Sequence, residues 1–181
     1  MNRFANFPGF LTTDQCKEVI EYCYTLTSEP GTVNKNFEYK KDLCNTVNRW
    51  IDDHDHWLYR KIYDASVFAN TGFKYQMYST MSKIQFSEYD ETYQGYFKWH
   101  TDINYDEDQD FKLSFSVQLT DSCNYEGGEL QFFNGIEDPV VAPKGVGDLI
   151  IFPSFLWHQV TPVTKGRRNS LVGWFSGPTF T

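Results

Sequence analysis

From Phe111 to Leu119 apolar and polar residues alternate without a break, Phe111, Leu113, Phe115, Val117 and Leu119 against Lys112, Ser114, Ser116 and Gln118. Side chains on a strand alternate between two faces, so this run predicts a half-buried strand of an antiparallel sheet. The composition agrees with it. The 181 residues hold 16 Phe, 12 Tyr and 5 Trp but only four Ala, at Ala5, Ala65, Ala69 and Ala142. Aromatic and β-branched side chains suit a pleated surface whereas Ala suits helices, which argues against an all-helical bundle.

Before Phe73 the period is helical. Thr12 and Gln15 stand in capping-box positions, and Val19, Ile20, Cys23 and Leu26 follow on one face, so an amphipathic helix begins there. Thr27 to Asp42, with Pro30-Gly31, reads as a loop. A second helix is predicted from about Asp55 to Ala69, with Leu58, Ile62, Ala65 and Ala69 on one face and Asn70-Thr71-Gly72 as its stop. From Phe73 onward short strands are expected at 73–78, 83–88, 97–103, 111–119, 129–133, 139–142, 148–152, 156–160 and 169–175, with turns at Gly127-Gly128, Asn134-Gly135, Pro143-Lys144-Gly145 and Lys165-Gly166. The expected fold is mainly β (α+β), a sandwich or jelly roll with the N-terminal helices packed on one sheet. A single domain over 1–181 is expected, with helical support at about 10–70 and a β core at about 73–178.

Charge narrows the partners. The net charge is −8 and no Lys/Arg run appears, so a nucleic-acid surface is disfavoured. No stretch approaches eighteen apolar residues and the start has no apolar leader, so a chain in the cytoplasm, away from membranes, is expected. Cys16, Cys23, Cys44 and Cys123 lack CxxC spacing and read as reduced thiols.

The chemistry rests on few residues. His100 and Asp102 stand at i and i+2 on a predicted strand, on one face, where they can share an ion. Alone the pattern is weak, since roughly half such a match is expected by chance in a chain this acidic. His158 adds weight, because it lies in the otherwise apolar Phe155 to Val160, where a buried imidazole needs a partner. In the last strand Arg168, Ser170, Val172 and Trp174 share a face by parity. An inward Arg requires an anion, either a protein acid or a ligand carboxylate that its fork would grip bidentately. Two His and one Asp form the facial set that holds non-haem Fe(II) and leaves coordination positions open.

With these residues assembled, the sequence resembles the prolyl 4-hydroxylase-like branch of the Fe(II)- and 2-oxoglutarate-dependent dioxygenases. The stretches that carry the resemblance are Tyr89 to Asp102, Tyr125-Glu126-Gly127-Gly128-Glu129-Leu130, Pro143-Lys144-Gly145 through Phe152-Pro153, and His158-x-Val160-x-Pro162-Val163-Thr164-x-Gly166-x-Arg168-x-Ser170 with Trp174-Phe175 behind it. Leu11 to Ile20 resembles the family's first helix, so the likeness spans nearly the whole chain. It implies a double-stranded β-helix, Fe(II) held by His100, Asp102 and His158, and 2-oxoglutarate and O2 as cosubstrates, with ascorbate as an auxiliary reductant. Arg168 would pair with the distal carboxylate of 2-oxoglutarate beside the Ser170 hydroxyl, and Tyr89 would hydrogen-bond the cosubstrate, a role that Tyr93 or Tyr96 could also fill. Trp174 matches an aromatic that walls the pocket; plain core packing accounts for it equally well. The implied reaction is hydroxylation of an unactivated C–H bond of a prolyl or other amino-acyl residue in a peptide or protein, with release of succinate and CO2.

The alternatives are a hydroxylase of a free amino acid or small molecule and a cupin-like metal-binding protein without oxygenase activity. Two further clusters draw attention. Asp52-Asp53-His54-Asp55-His56 falls at a predicted helix start, where acids are stabilised by the dipole, so a metal there is the lesser expectation. Asp106 to Asp110 carries four acids just after the first two ligands and reads either as a solvated loop or as an attractor for a cationic substrate. Trp99 and Trp157 each precede a candidate ligand and should point to the opposite face of their strands, under the helices.

Overall fold

The structure is a computed structural model that describes residues 4–31, 42–103, 110–133 and 135–179. In chain order the elements are β1 (Ala5–Phe7), α1 (Thr13–Tyr24), β2 (Glu29–Pro30), β3 (Cys44–Asn45), β4 (Val47–Ile51), α2 (Trp57–Phe73), β5 (Ile84–Asp90), β6 (Tyr96–His100), β7 (Asp110–Gln118), β8 (Tyr125–Gly127), β9 (Leu130–Phe133), β10 (Val140–Val141), β11 (Leu149–Pro153), β12 (Trp157–Val160) and β13 (Val163–Gly177). The major sheet runs β1-β11-β7-β13-β5-β4-β2, with β8 paired to β13, and the minor sheet runs β10-β9-β12-β6-β3. Every pairing is antiparallel. This is the expected mainly β jelly roll.

Both helices lie on the outer face of the major sheet. Thr12 and Gln15 close the capping box on α1, which buries Cys16, Val19 and Cys23. Leu58 and Ile62 of α2 join them over Phe86, Leu113, Phe115, Val117, Leu171 and Phe175. Gly173 lets this layer close, since a Cβ there would stand 2.6 Å from the Phe115 ring. Helix α2 runs past the expected stop at Asn70-Thr71-Gly72 and ends at Phe73, so the strand expected at 73–78 does not form. The physical reason lies at Asn70. Its side chain donates to the Tyr75 carbonyl at 2.8 Å and accepts from the Tyr75 N–H at 2.9 Å, so it serves the chain's exit and does not break the helix. Lys74, left-handed at φ 63°, provides the cap.

The alternation in β7 holds, but its reading as half-buried fails. Lys112, Ser114, Ser116 and Gln118 are as buried as the apolar residues between them. Leu113, Phe115 and Val117 meet the helices, whereas Ser114, Ser116 and Gln118 face the interior between the two sheets. A polar stripe that pattern assigns to water therefore lines a cavity. At the start of β7 a register shift opposite Phe175 and Ser176 turns Phe111 off the helix side to stack on Trp174, with ring centroids 5.5 Å apart. Trp157 points away from His158 as parity requires, but it stands 52% exposed on the minor sheet and not under the helices. No helix among the described residues is long and apolar enough to cross a membrane.

Candidate active site

His100 closes β6 and lies directly opposite His158 on β12, with ring centroids 4.1 Å apart. Asp102 is not on the strand, as the i, i+2 reading had it, because β6 ends at His100. Its backbone N–H donates to the Ser154 carbonyl at 2.8 Å, which holds the segment beyond β6 where the carboxylate faces both rings. Asp102 Oδ1 lies 3.5 Å from His100 Nε2, and Oδ2 lies 3.5 Å from His158 Nε2. The ligand atoms of the three residues all lie within 4.8 Å of one another, and no other such group of His, Cys, Asp or Glu occurs among the described residues.

The surroundings fix how these groups present themselves. His100 Nδ1 lies 2.7 Å from the Lys98 carbonyl and His158 Nδ1 lies 2.8 Å from the Leu156 carbonyl. A carbonyl can only accept, so both Nδ1 atoms carry a proton, and the Nε2 atoms are the ones that face Asp102. The Ser114 hydroxyl donates to Asp102 Oδ2 at 2.7 Å and lies 2.9 Å from Ser154 Oγ. Phe97 stacks on His100 at 3.8 Å and Phe152 packs edge-on to His158 at 4.8 Å, so neither ring can turn freely. Two imidazole lone pairs and one carboxylate on converging groups are the donor set that suits Fe(II) and leaves further positions for ligands. The residues fit that ion.

Burial pushes the His158 imidazole down to about 4, against a smaller upward pull from Asp102. Burial alone would raise Asp102, but the two imidazoles and the Ser114 hydroxyl outweigh it and hold the carboxyl below its ordinary range. At neutral pH Asp102 is therefore ionised and His158 is neutral, an arrangement ready for a cation. For stability the sign is definite. Unfolded His158 takes a proton near 6.5 while the folded residue resists until about 4, so the unfolded state binds more protons in that window and stability falls as pH falls. The metal-free protein is expected to lose about 2 kcal/mol between pH 7 and pH 5 from this residue. Urea midpoints at both pH values measure it, and in His158→Gln this part of the slope should vanish.

Arg168 lies on β13 opposite Tyr89 of β5 and is 3% exposed. Its Nε donates to Gln118 Oε1 at 3.0 Å, its Nη1 donates to Ser170 Oγ at 3.2 Å, and its guanidinium carbon stands 5.0 Å from the centre of the Tyr89 ring. Burial pushes the phenols of Tyr89 and Tyr125 up, so both stay neutral beside it. Asp148 lines the same cavity, but its oxygens accept from the Gly9 and Gly145 N–H groups. The salt bridge to a protein acid, open on sequence, is absent among the described residues. A buried cation held only by neutral groups is a site waiting for an anion.

One strand joins the two halves of the site. Ser114 touches Asp102 and Gln118 touches Arg168, with Ser116 between them on the same face of β7. Four residues of strand span about 13 Å, comparable with an extended five-carbon diacid and a contact at each end. Trp174 pairs across from Ser114 and so lies on the same face of the sheet, stacked on Phe111. Tyr93 bonds the Glu88 carbonyl through its hydroxyl, away from Arg168, so of the three candidate tyrosines Tyr89 is the one in contact with the guanidinium. Tyr96 pairs with Asn45 at the edge of the minor sheet.

Sequence reasoning missed Ser114, Ser154, Gln118 and Tyr125; the Ser and Gln positions in β7 were visible only as the polar half of an alternation. The Asp52 to His56 cluster gathers no metal site. His56 caps α2, Asp53 Oδ1 accepts from the Asp55 N–H, and Lys83 pairs with Asp52. Of the acidic run, positions 106–109 lie outside the described residues, and Asp110 is buried beside Lys112 at 3.6 Å.

Known proteins resemble this chain in sequence and in fold. A 76-residue stretch is 38% identical to a PKHD-type hydroxylase of Synechococcus sp. (strain CC9605), covering 42% of this chain and only 34% of that protein. A PKHD-type hydroxylase of Synechococcus sp. (strain CC9902) is 32% identical over 175 residues, 82% of this chain and 76% of its own. Among solved structures, a Pseudomonas putida prolyl-4-hydroxylase superposes with a TM-score of 0.76 at 19% identity, over 99% of this chain and 95% of that one. A Trichoplax adhaerens prolyl hydroxylase in complex with a hypoxia inducible factor peptide fragment gives 0.74 at 16% identity, over 97% and 84%. At such identities these structures speak for the fold alone. The family model of the 2OG-Fe(II) oxygenase superfamily matches residues 84–176, from the start of β5 to one residue short of the end of β13, a span that includes His100, Asp102, His158 and Arg168. The chain belongs to the 2OG-Fe(II) oxygenase superfamily.

Proposed function

We propose that this chain, acting as one domain in the cytoplasm, is an Fe(II)- and 2-oxoglutarate-dependent hydroxylase of a prolyl or other amino-acyl residue in a peptide or protein. The observation that carries the reading is a buried Arg168 with neutral partners, facing the same interior as His100, Asp102 and His158. A cupin-like metal protein has no use for such a cation. The peptide substrate draws on the relatives, which include PKHD-type hydroxylases and a prolyl hydroxylase solved with a peptide fragment.

In this reading His100, Asp102 and His158 hold Fe(II), with Ser114 and the Lys98 and Leu156 carbonyls fixing their orientation. Arg168 takes the distal carboxylate of 2-oxoglutarate, with the Ser170 and Tyr89 hydroxyls beside it. When bound, iron and cosubstrate supply the oxidation: one oxygen of O2 enters a C–H bond as a hydroxyl, and the other leaves in succinate as the keto acid loses CO2. Trp174, stacked on Phe111, would wall that interior and limit the entry of water. Ascorbate, if it acts, serves as an external reductant. Asp106, Glu107 and Asp108 would draw a cationic substrate, and neutralising them should then lower turnover of Lys- or Arg-containing peptides in a salt-dependent way.

Mass spectrometry of candidate peptides incubated with Fe(II) and 2-oxoglutarate tests the proposal. A gain of one oxygen matched by an equal yield of succinate is expected. Oxygen gain on free amino acids but on no peptide would overturn the substrate class.

A further inference from the structure

We propose that Gln118 is a positioning residue that aims the Arg168 fork, and that it thereby makes the pocket demand a distal carboxylate. This inference rests on the reading of Arg168 as the cosubstrate anchor. Gln118 is 5% exposed, and its amide orientation is fixed from both ends. Its Nε2 donates to the Thr120 carbonyl at 2.8 Å and to the Tyr125 hydroxyl at 3.1 Å. Both N–H groups are therefore committed, and Oε1 can only face Arg168, whose Nε it accepts at 3.0 Å.

The consequence concerns the fork itself. Of the five N–H donors of a guanidinium, Nε is spent on Gln118 and one Nη1 hydrogen on Ser170. Three Nη hydrogens remain on a guanidinium that lines the cavity with Ser116, Gly128 and Leu130, with the Tyr89 and Tyr125 phenols beside it. Without Gln118 the guanidinium could rotate about its stem to seek other acceptors, and an incoming carboxylate would have to reorder it. The backbone supports the arrangement: Gln118 N–H donates to the Asp148 carbonyl at 2.9 Å, and its own carbonyl accepts from Gly147 at 2.7 Å, pinning the strand end. Tyr125, on β8 across from Gly166 of β13, extends the same chain of bonds from a separate strand.

Gln118→Leu keeps the volume and removes the acceptor. Calorimetry on Mn(II)-loaded protein with two probes, 2-oxoglutarate and 2-oxovalerate, reads the outcome. The second probe is the same five-carbon keto acid without the distal carboxylate. Wild type should bind 2-oxoglutarate far more tightly than 2-oxovalerate. In Gln118→Leu the affinity for 2-oxoglutarate should fall roughly 10- to 100-fold while that for 2-oxovalerate and for Mn(II) stays put. Tyr125→Phe, which removes one hydroxyl, should move 2-oxoglutarate in the same direction by a smaller factor. Equal loss of both probes would make Gln118 merely structural, and an unchanged 2-oxoglutarate affinity would overturn its positioning role while leaving the Arg168 anchor intact. A wild-type protein that binds both probes alike would overturn the anchor and this inference with it.

Discussion

Asp102→Ala is expected to lower Fe(II) affinity by more than roughly 100-fold, beyond the loss usual for residues that only support a ligand. The reason is geometric as well as electrostatic. Among the described residues Asp102 is the only carboxylate between the two imidazoles, and its two oxygens are shared between them at 3.5 Å each. Without it, two neutral Nε2 lone pairs face a cation with no compensating charge in a buried site. The fold should survive, because the Asp102 backbone bond to Ser154 remains and Ser114 keeps Ser154 as a partner. Chelator competition gives the affinity and a urea melt gives the stability. Loss of both together would mean that Asp102 is a structural acid.

Arg168→Ala should act on the other half of the site. Removing one partner of a buried charge pair costs about 2–5 kcal/mol, so 2-oxoglutarate affinity should fall from roughly 30-fold to several thousand-fold. Fe(II) affinity should stay within about twofold of wild type, since the guanidinium touches Gln118, Ser170 and the face of Tyr89 and none of the triad. The split between the two ligands is the diagnostic result. Equal loss of iron and cosubstrate would mean that Arg168 holds the sheets together and anchors nothing.

The parts of this molecule that were legible in the sequence are those where one local rule decides. Thr12 and Gln15 cap α1 as their spacing requires, and the alternation of β7 gives a strand. His158 was readable because an imidazole in an apolar strand demands an explanation, and Arg168 and Ser170 because parity turns them inward together. What failed depended on tertiary context. Asn70 could either end a helix or brace its exit, and only the position of Tyr75 decides. Asp102 was grouped with His100 by strand parity, but β6 ends at His100 and the carboxylate meets the two rings from the segment beyond the strand. Pattern also could not tell a polar face that lines a cavity from one that meets water, so Ser114 and Gln118 escaped notice. Each supports a charged group that was noticed, Asp102 in one case and Arg168 in the other.

In the proposed reaction His100, Asp102 and His158 hold iron in a site where 2-oxoglutarate, anchored at Arg168, joins it. Anaerobic addition of Fe(II) and then 2-oxoglutarate to the metal-free protein tests this most directly, because only a keto acid bound to the iron itself produces a visible metal-to-ligand charge-transfer band. The band should appear in wild type and be absent when Asp102 and His158 are both replaced by Ala. Wild-type protein that binds iron yet develops no band, or a band that persists unchanged in the double variant, would contradict the account.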